Sequence, residues 1–374
     1  MVSLISLHAR TRWWAICILL VGQAALAQQR VESARPPLGL PALPEITASS
    51  RAPQLARLGE RLFFDKRLSR DGKVSCGSCH LPERSFSDGL PRALGHEGKP
   101  GTRNAPSLLN VAYATSLFWD GRARDLASQA RAPFTNPVEH ALPSTDALVV
   151  IVQGDSTYVR DFAAAFADHA AVRMDSITDA LLAYERTLLA GSSAFDHYFY
   201  GKDAAAMSAA AVRGLELFRG RANCVACHSI GRQSSLFTDQ AFHVATRGLP
   251  RPVTQKLAEL AQRVVAAQST SGTAELERLI ATDESIAALG RFVVTLDPAD
   301  IGKFKTPSLR NVALTAPYMH DGSVRTLEEA VELELYSRGA VAYPIVLTRS
   351  QQADLLAFLN ALTTAPASAK AKQN

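Results

Sequence analysis

The sequence lacks the features of membrane-spanning, nucleic-acid-binding and sheet-rich proteins. Its N-terminal apolar stretch, Trp13–Val21, is shorter than the ~20 residues that a membrane-spanning helix needs. Basic residues do not cluster with aromatic ones and the net charge is only +5, so no nucleic-acid partner is indicated. Regular strand-like alternation is scarce. Since 47% of the residues are hydrophobic and 20% are charged, the composition is that of a globular protein.

Cysteine is also scarce, and its distribution depends on an N-terminal leader. Arg10 and Arg12, the apolar stretch after them and the small residues Ala25–Ala27 are typical of a cleavable signal peptide over residues 1–27. We therefore expect export, cleavage and no remaining membrane segment. Cleavage removes Cys17, and the remaining cysteines form two pairs with none left over.

Each remaining pair has the spacing Cys-x-x-Cys and is followed at once by histidine, in CGSCH and in CVACH. In such a motif the two thiols add to the vinyl groups of a haem and the histidine ligates its iron. The competing interpretations are two thioredoxin-type disulfides or a shared zinc site, but neither needs a histidine after both pairs. The sequence therefore predicts two covalent c-type haems, bound by Cys76, Cys79, His80, Cys224, Cys227 and His228.

The apolar periodicity predicts an all-α, loop-rich fold with two cytochrome c-type domains. The length of the chain favours two domains, and we place them at residues 28–200 and 201–364, with one haem motif in each. The predicted helices are the one around Leu55–Phe63 and those at Thr145–Val152, Tyr158–His169, Ser176–Leu189, Ser208–Phe218 and Ser350–Leu362.

Four other segments do not fit the pattern of a packed helix or strand. Gly89–Pro106 and Asp297–Pro317 are long and irregular, which is typical of functional loops. A polar, Ala-rich helical insertion at about residues 253–289 is expected to be peripheral. The tail at residues 365–374 has little to bury and is expected to be disordered.

Further blocks occur in order along the chain: Gly59–Leu68 (GERLFFDKRL), Arg103–Asn110 (RNAPSLLN), Phe118–Ala123 (FWDGRA), Asn136–Glu139 (NPVE), Lys305–Asn311 (KTPSLRN) and Ala316–Gly322 (APYMHDG). With the two haem motifs, they resemble the bacterial diheme cytochrome c peroxidase and MauG family over nearly the whole mature chain. The resemblance implies that the haem at His80 reacts with peroxide. The haem at His228 would store and relay an electron.

The resemblance also assigns residues to the peroxide site. Glu139 matches the distal carboxylate that takes a proton from the inner peroxide oxygen and returns it to the leaving one. Gln129 would be its hydrogen-bonding neighbour. His96, in a glycine-flanked loop, matches the histidine that caps the oxidised iron in activation-dependent members, and a solvated loop histidine is the alternative. Trp119 matches the indole between the haems, although a structural aromatic residue fits the sequence as well.

Partners and a calcium ion follow from the same resemblance. Asn104, Thr315 and Pro317 match the positions that bind an interdomain calcium, mainly through carbonyl oxygens. The implied reactant is hydrogen peroxide, and the implied electron donor is a small periplasmic cytochrome c or cupredoxin. A homodimer is also possible, because family members are often dimers.

The sequence departs from the peroxidase pattern at the sixth ligand of the second haem. The classical peroxidases have a methionine some residues beyond the APYMHDG block. Counted without gaps, that position is Glu334 in this sequence. In the MauG branch a tyrosine before an Arg-Gly pair takes this role, and Tyr336 resembles it with a two-residue offset. Tyr336 is therefore the first candidate and Met319 the second.

Three functions remain open at this point. The first is hydrogen peroxide reduction, which makes the protein an oxidoreductase of the cytochrome-c peroxidase type. The second is a MauG-like oxidase that modifies a side chain of a partner protein; Tyr336 favours it, whereas His96 speaks against it. The third is a diheme electron carrier, in which Glu139 would have no use.

Overall fold

The computed structural model describes residues 36–44, 52–166, 171–245, 248–270, 272–338 and 345–364. Over these ranges the protein is mostly helical, with short helices joined by long irregular segments, as the sequence predicts. None of these helices has the length and apolarity needed to cross a bilayer. The predicted leader at residues 1–27 and the tail at residues 365–374 lie outside the described ranges.

The helices are α1 Ala52–Phe64, α2 Cys76–Cys79, α3 Leu126–Thr135, α4 Thr145–Gln153, α5 Ser156–Ala165, α6 Met174–Glu185, α7 Ala194–Phe199, α8 Ala209–Arg219, α9 Arg251–Gln255, α10 Leu257–Thr270, α11 Gly272–Thr282, α12 Glu284–Ala287, α13 Phe292–Thr295, α14 Leu327–Arg338 and α15 Arg349–Asn360. One antiparallel sheet pairs β1, Phe242–Val244, with β2, Lys303–Lys305. The other described segments are loops and single 3₁₀ turns.

The described residues from Leu38 to Thr364 belong to one compact unit, which contains more than one hydrophobic core. The first core collects buried side chains from Leu58 to Ala190, and the second collects those from Phe195 to Leu362. The change from one core to the other falls close to residue 200, where we place the domain boundary. That boundary itself stays a prediction.

A close helix crossing recurs in both cores. In the first core α1 packs on α6, where a Cβ added at Gly59 would lie 1.9 Å from the carbonyl oxygen of Ala180. In the second core α8 packs on α15, where a Cβ at Gly214 would lie 1.9 Å from the carbonyl oxygen of Asp354. Only glycine permits such an approach of two backbones. Each crossing holds the helix that precedes a Cys-x-x-Cys-His motif.

The predicted insertion is helical and comprises α9 to α12. Together with residues up to Phe292 and Val293, it forms a third hydrophobic core of its own. The insertion is not only peripheral, however, because Ile280 and Ala281 line the cavity described below. Sequence periodicity identifies the apolar face of a helix but not the surface that this face covers.

Candidate functional site

A cavity of about 380 Å³ lies between the loops that follow the first haem motif and segments of the C-terminal half. Its wall is mainly apolar, with a few polar side chains. Most residues that the sequence assigns to the peroxide site and the calcium site meet there. They are Cys76, Cys79, His80, Asn104, Trp119, Gln129, Glu139, Thr315, Pro317 and Met319.

The first motif is positioned by a tight helical turn. The amide of Ser75 donates to the hydroxyl of Ser78 at 3.0 Å, and the amide of His80 donates to the carbonyl of Cys76 at 3.0 Å. The His80 ring is held by a bond of 3.0 Å between its Nδ1 and the carbonyl oxygen of the buried Phe86. Because a carbonyl only accepts, Nδ1 carries the proton and the lone pair lies on Nε2.

The second motif repeats this geometry in the other half of the chain. The amide of His228 donates to the carbonyl of Cys224 at 2.9 Å, and its Nδ1 lies 2.9 Å from the carbonyl oxygen of the buried Phe237. Iron-ligating histidines are typically oriented by such a bond from the other ring nitrogen. Both motifs therefore fit a c-type haem, although the cavity borders only the first.

The alternatives for the cysteines are not supported. None of the four described cysteines forms a disulfide. The described residues do not bring the two pairs together at one metal site; Cys227 lies near Asp239 and His243, and Sγ of Cys76 lies 3.9 Å from Nε2 of His140. Burial raises the pKa of Cys79 to about 12 and raises that of Cys76 as well, which disfavours the thiolate form that a zinc site needs.

Glu139 lies on the cavity wall at the end of the NPVE turn. Its Oε1 accepts a bond of 2.7 Å from the side-chain amide of Asn136. Burial raises the pKa of Glu139 to about 7, although Arg122 lowers it; Glu277 adds to the increase. A carboxyl group with this pKa can both take up and release a proton at neutral pH.

Gln129 reaches the cavity from α3. Its Oε1 is buried and makes no hydrogen bond with any described residue. Pro133, on the same helix, has no backbone N–H to donate and also lines the cavity. A buried acceptor without a partner is costly, so it indicates a site that is completed by a bound molecule.

His96 is buried but is not among the residues that line the cavity. Its Nδ1 lies 3.2 Å from Oδ2 of Asp71, without the angle of a hydrogen bond. The backbone N–H of His96 bonds to the carbonyls of Val138 and Glu139, at 3.0 and 3.1 Å. The loop is therefore docked beside Glu139 with its imidazole turned towards Asp71.

Trp119 joins segments from the two halves of the chain. Its indole Nε1 donates to the carbonyl of Asn104 at 2.9 Å, while its own carbonyl accepts from the amide of Lys305 at 2.8 Å. The amide of Asn104 in turn donates to the carbonyl of His320 at 2.9 Å. Asn104, one of the expected calcium-binding positions, therefore lies in a hydrogen-bonded region between the two halves.

The two candidates for the sixth ligand of the second haem lie in different places. Met319 lines the cavity. Tyr336 lies near the end of α14 and is 70% exposed, just before residues 339–344, which are outside the described ranges. The structure does not bring Tyr336 to the cavity, and its role stays a prediction.

Sequence reasoning missed the charged residues Arg103, Arg122 and Glu185, which line this cavity, and Asp120, which pairs with the two arginines behind the wall. Asp120 is fully buried, and although burial alone would raise its pKa, Arg103 and Arg122 lower it to about 2. Glu185 has a buried Oε2 with no partner in the described part of the chain. Asp120 and Arg122 lie in the FWDGRA block, and Arg103 lies in the RNAPSLLN block. Their position in blocks that match the family is the signal that could have identified them. Glu185 gave none, because it ends an ordinary amphipathic helix.

Comparisons with known proteins place these observations in a family. The profile of the family described as di-haem cytochrome c peroxidase matches residues 53–204. The methylamine utilization protein MauG of Methylorubrum extorquens is 36% identical over 333 residues, covering 87% of this chain and 82% of that protein. A cytochrome-c peroxidase of Denitromonas iodatirespirans is 34% identical over 378 residues, covering 95% and 94%.

A solved structure has a similar fold. It is a MauG-like protein associated with microbial copper homeostasis, with a TM-score of 0.66 and 32% identity, covering 88% of this chain and 93% of that one. The predicted resemblance to the peroxidase and MauG family is therefore confirmed.

Proposed function

This chain belongs to the di-haem cytochrome c peroxidase family, and we propose on that premise that it reduces hydrogen peroxide to water in the periplasm. The reaction takes up two electrons and two protons for each peroxide and releases two waters. The electrons come from a small cytochrome c or a cupredoxin. The observation that carries the proposal is Glu139, a carboxyl group with a pKa near 7 on the wall of the cavity that also contains His80.

Two haems, as the family implies, supply the iron that binds and reduces peroxide and the second centre that passes electrons to it. The residues that hold them are the two Cys-x-x-Cys-His motifs. The bonds that fix Nδ1 of His80 and of His228 and leave Nε2 free to ligate iron support this assignment.

The protein's own groups handle the protons. Glu139 takes a proton from the oxygen of peroxide nearer the iron and returns it to the leaving oxygen. Asn136 holds the carboxylate in place through its 2.7 Å bond, and Gln129 directs its unpaired Oε1 at the substrate's O–H. Arg122 limits the rise in the pKa of Glu139, which keeps both protonation states accessible.

Trp119 is the residue that relays electrons between the haems. Its bonds to Asn104 and Lys305, on the two sides of the cavity, support this role. His96 would be the residue that caps the iron of the first haem in the oxidised protein, and it would have to move away before peroxide could bind. Its contact with Asp71 is the position that it takes when the site is open.

A MauG-like oxidase is the second candidate function. It is favoured by the 36% identity to MauG and by the lack of a methionine after Met319. In this function the haems would oxidise a side chain of a partner protein, with Trp119 as the path for electrons.

Spectra of the fully oxidised, half-reduced and fully reduced protein separate the functions, combined with turnover of hydrogen peroxide and a reduced cytochrome c. A high-spin haem that appears only on half-reduction, with rapid peroxide turnover, supports the peroxidase. A high-spin haem in the oxidised protein, with slow turnover, supports the oxidase. Six-coordinate haems in all three states would refute both.

The sixth ligand of the second haem has its own test. Tyr336→Phe should change the low-spin spectrum of this haem, whereas Met319→Leu should leave it unchanged, because tyrosinate and thioether give different ligand fields. The electronic and EPR spectra of both variants decide the matter. The opposite pattern would make Met319 the ligand.

The remaining assignments concern location, calcium and assembly. The leader at residues 1–27 directs export, and the calcium ion is held by Asn104, Thr315 and Pro317, all of which line the cavity. Removal of calcium with a chelator should slow peroxide turnover, and re-addition should restore it.

The proposed assembly is a homodimer. Sedimentation of the mature protein would test it.

A further inference from the structure

The helical insertion reaches the cavity at one place, the C-terminal part of α11. Of the described insertion residues, Ile280 and Ala281 line the cavity, and both are apolar. Ile280 is 2% exposed and also belongs to the third hydrophobic core, so it is packed from the insertion side as well. A β-branched side chain has few rotamers and does not move aside easily.

The insertion is hydrogen-bonded to two residues that line the cavity. The hydroxyl of Thr102 donates to the carbonyl of Ile280 at 2.8 Å, and Nη2 of Arg103 donates to the carbonyl of Ala287 at 2.8 Å. Thr102 and Arg103 both line the cavity. The backbone that carries Ile280 is therefore fixed directly to the cavity wall.

Two ion pairs strengthen this attachment. Nε of Arg122 donates to Glu277 at 2.9 Å, one helical turn before Ile280, and Arg122 is the cavity residue that acts on the pKa of Glu139. Arg92 pairs with Glu284 at the start of α12. A wall held by four polar contacts, with its own core behind it, is a rigid element and not a loose cover.

We infer that the insertion, through Ile280 and Ala281, limits the size of the peroxide that the site accepts and restricts it to hydrogen peroxide. The inference rests on the proposed function, because it names the substrate class of that site. Organic hydroperoxides carry an alkyl or aryl group that needs additional space, and the apolar side chain of Ile280 fills space along the wall. Ile280 is thus a specificity-determining residue and not a catalytic one.

The first test compares peroxides of different size with the diheme holoprotein. Ile280→Ala should raise the ratio of kcat/KM for cumene hydroperoxide to that for hydrogen peroxide by at least about tenfold, which corresponds to a difference of about 1.4 kcal/mol in activation free energy. Ile280→Val should give a smaller rise, and Ala281→Leu should lower the ratio. The matched control is Leu279→Ala, a buried residue of the same helix that does not line the cavity.

The second test does not depend on turnover. Half-reduced protein is titrated with cyanide and with 4-phenylimidazole, and binding is followed by the haem spectrum. Ile280→Ala should strengthen 4-phenylimidazole binding relative to cyanide by at least tenfold, while Leu279→Ala should leave this ratio as in the wild type.

Each result has a definite meaning. An unchanged ratio in Ile280→Ala and Ile280→Val overturns the inference, as does an equal rise in Leu279→Ala, which would indicate general loosening. If the wild type fails to reduce hydrogen peroxide, the proposed function is wrong, yet the ligand titration still decides whether Ile280 limits the space. If Ile280→Ala does not fold, the other two variants still test the inference. Ile280→Val should raise the kcat/KM ratio, and Ala281→Leu should lower it.

Discussion

Glu139 and Glu185 are buried carboxyl groups on one cavity wall, but their surroundings differ. Glu139 has an amide donor and a nearby guanidinium group, and its pKa is about 7. Glu185 has burial alone to raise its pKa, to about 8, and one of its oxygens has no partner among the described residues. The first arrangement suits proton transfer, whereas the second makes a neutral acid whose ionisation is costly.

Glu139→Gln should lower kcat for peroxide turnover by at least the ~10²-fold that general acid-base groups contribute, because glutamine cannot take up or return the proton. Haem content, measured by the pyridine haemochrome spectrum, should be unchanged. The exposed Glu83→Gln is the control and should turn over peroxide like the wild type. Turnover of Glu139→Gln within a few-fold of wild type would remove this carboxylate from the mechanism.

Glu185 should make stability depend on pH. Because its folded pKa of about 8 exceeds its ordinary value near 4.5, the folded protein keeps a proton that the unfolded chain releases. Stability is therefore lost as the pH rises from about 4.5 to 8. Relative to Glu185→Gln, the wild type should lose at least about 1.4 kcal/mol of unfolding free energy between pH 5 and 8.

Guanidinium denaturation at the two pH values measures this difference, with Glu83→Gln as the control that follows the wild type. A wild type and a Glu185→Gln variant with parallel pH dependence would mean that Glu185 is already ionised in the folded protein. Neither outcome depends on peroxide chemistry.

At the scale of elements, the loop with His96 is placed by its backbone and by one carboxylate. A Cβ at Gly95 would lie 1.7 Å from the carbonyl oxygen of Val138, so only glycine allows the loop to dock there. The imidazole of His96 then points to Asp71. The loop therefore has one anchored end, and Asp71, 3.2 Å from Nδ1, is the nearer of the two carboxylates that face its histidine, since Glu97 lies 3.8 Å from Nε2.

Asp71→Asn should shift His96 towards the haem iron, because the imidazole loses the negative charge that attracts it. We expect a larger low-spin fraction of the first haem in the oxidised protein, measured by EPR. The additional substitution His96→Ala should abolish this fraction. An increase that persists without the histidine would identify a different ligand.

Several amphipathic helices were predicted close to their observed bounds. The helix around Leu55–Phe63 is confirmed as α1, and Ser208–Phe218 as α8. The predicted helices at Tyr158–His169 and Ser176–Leu189 end earlier, at Ala165 and Glu185. In the second case the chain turns at Arg186, and the hydroxyl of Thr187 bonds back to Tyr184. Periodicity continues past a helix end because a loop on the core surface also buries apolar residues.

Two described helices of ten or more residues were not predicted, α3 and α14. Helix α3 contains Pro133, and proline usually breaks a helix. The carbonyl of Pro133 accepts a hydrogen bond from the amide of His140, which lies beyond the end of this helix. Helix α14 has apolar and acidic residues spread around its circumference, so no single face stands out. Tertiary packing, and not local periodicity, decides that these two segments are helical.

At the scale of the whole molecule, one buried ion pair joins three distant segments. Arg310 is 4% exposed and donates to both carboxylate oxygens of Asp196, at 2.8 and 2.9 Å. It also donates to the carbonyls of Gly39 and Ser235, at 2.8 and 2.7 Å. The pair therefore connects the start of the compact unit to α7 and to the loop after the second haem motif.

Asp196→Ala should lower the free energy of unfolding by about 3–5 kcal/mol, because the guanidinium of Arg310 would remain buried without its counter-charge. The double variant Asp196→Leu/Arg310→Met should recover part of this loss. The control is Arg213→Ala, which breaks a pair with Asp354 in which the arginine is 57% exposed and should cost no more than ~1 kcal/mol. Denaturation curves of equal cost for both single variants would contradict this assignment.

The sequence alone determined the haem motifs, the helical class and the identities of the proton-handling and electron-handling candidates. These are local patterns, since a Cys-x-x-Cys-His motif needs only five consecutive residues and an amphipathic helix only its own periodicity. The family blocks extended this to Glu139, Gln129 and Trp119, which the structure brings to one cavity.

Only the tertiary structure decided which charges surround Glu139, where His96 points and what the insertion covers. Arg122 and Glu277 are 155 residues apart in sequence, and Thr102 and Ile280 are 178 apart. Such contacts depend on how separate helices and loops pack, and a pKa depends on the burial and charge that this packing produces. A single sequence contains no pattern of that range, which is why the pKa of Glu139 and the wall at Ile280 could not be predicted from it.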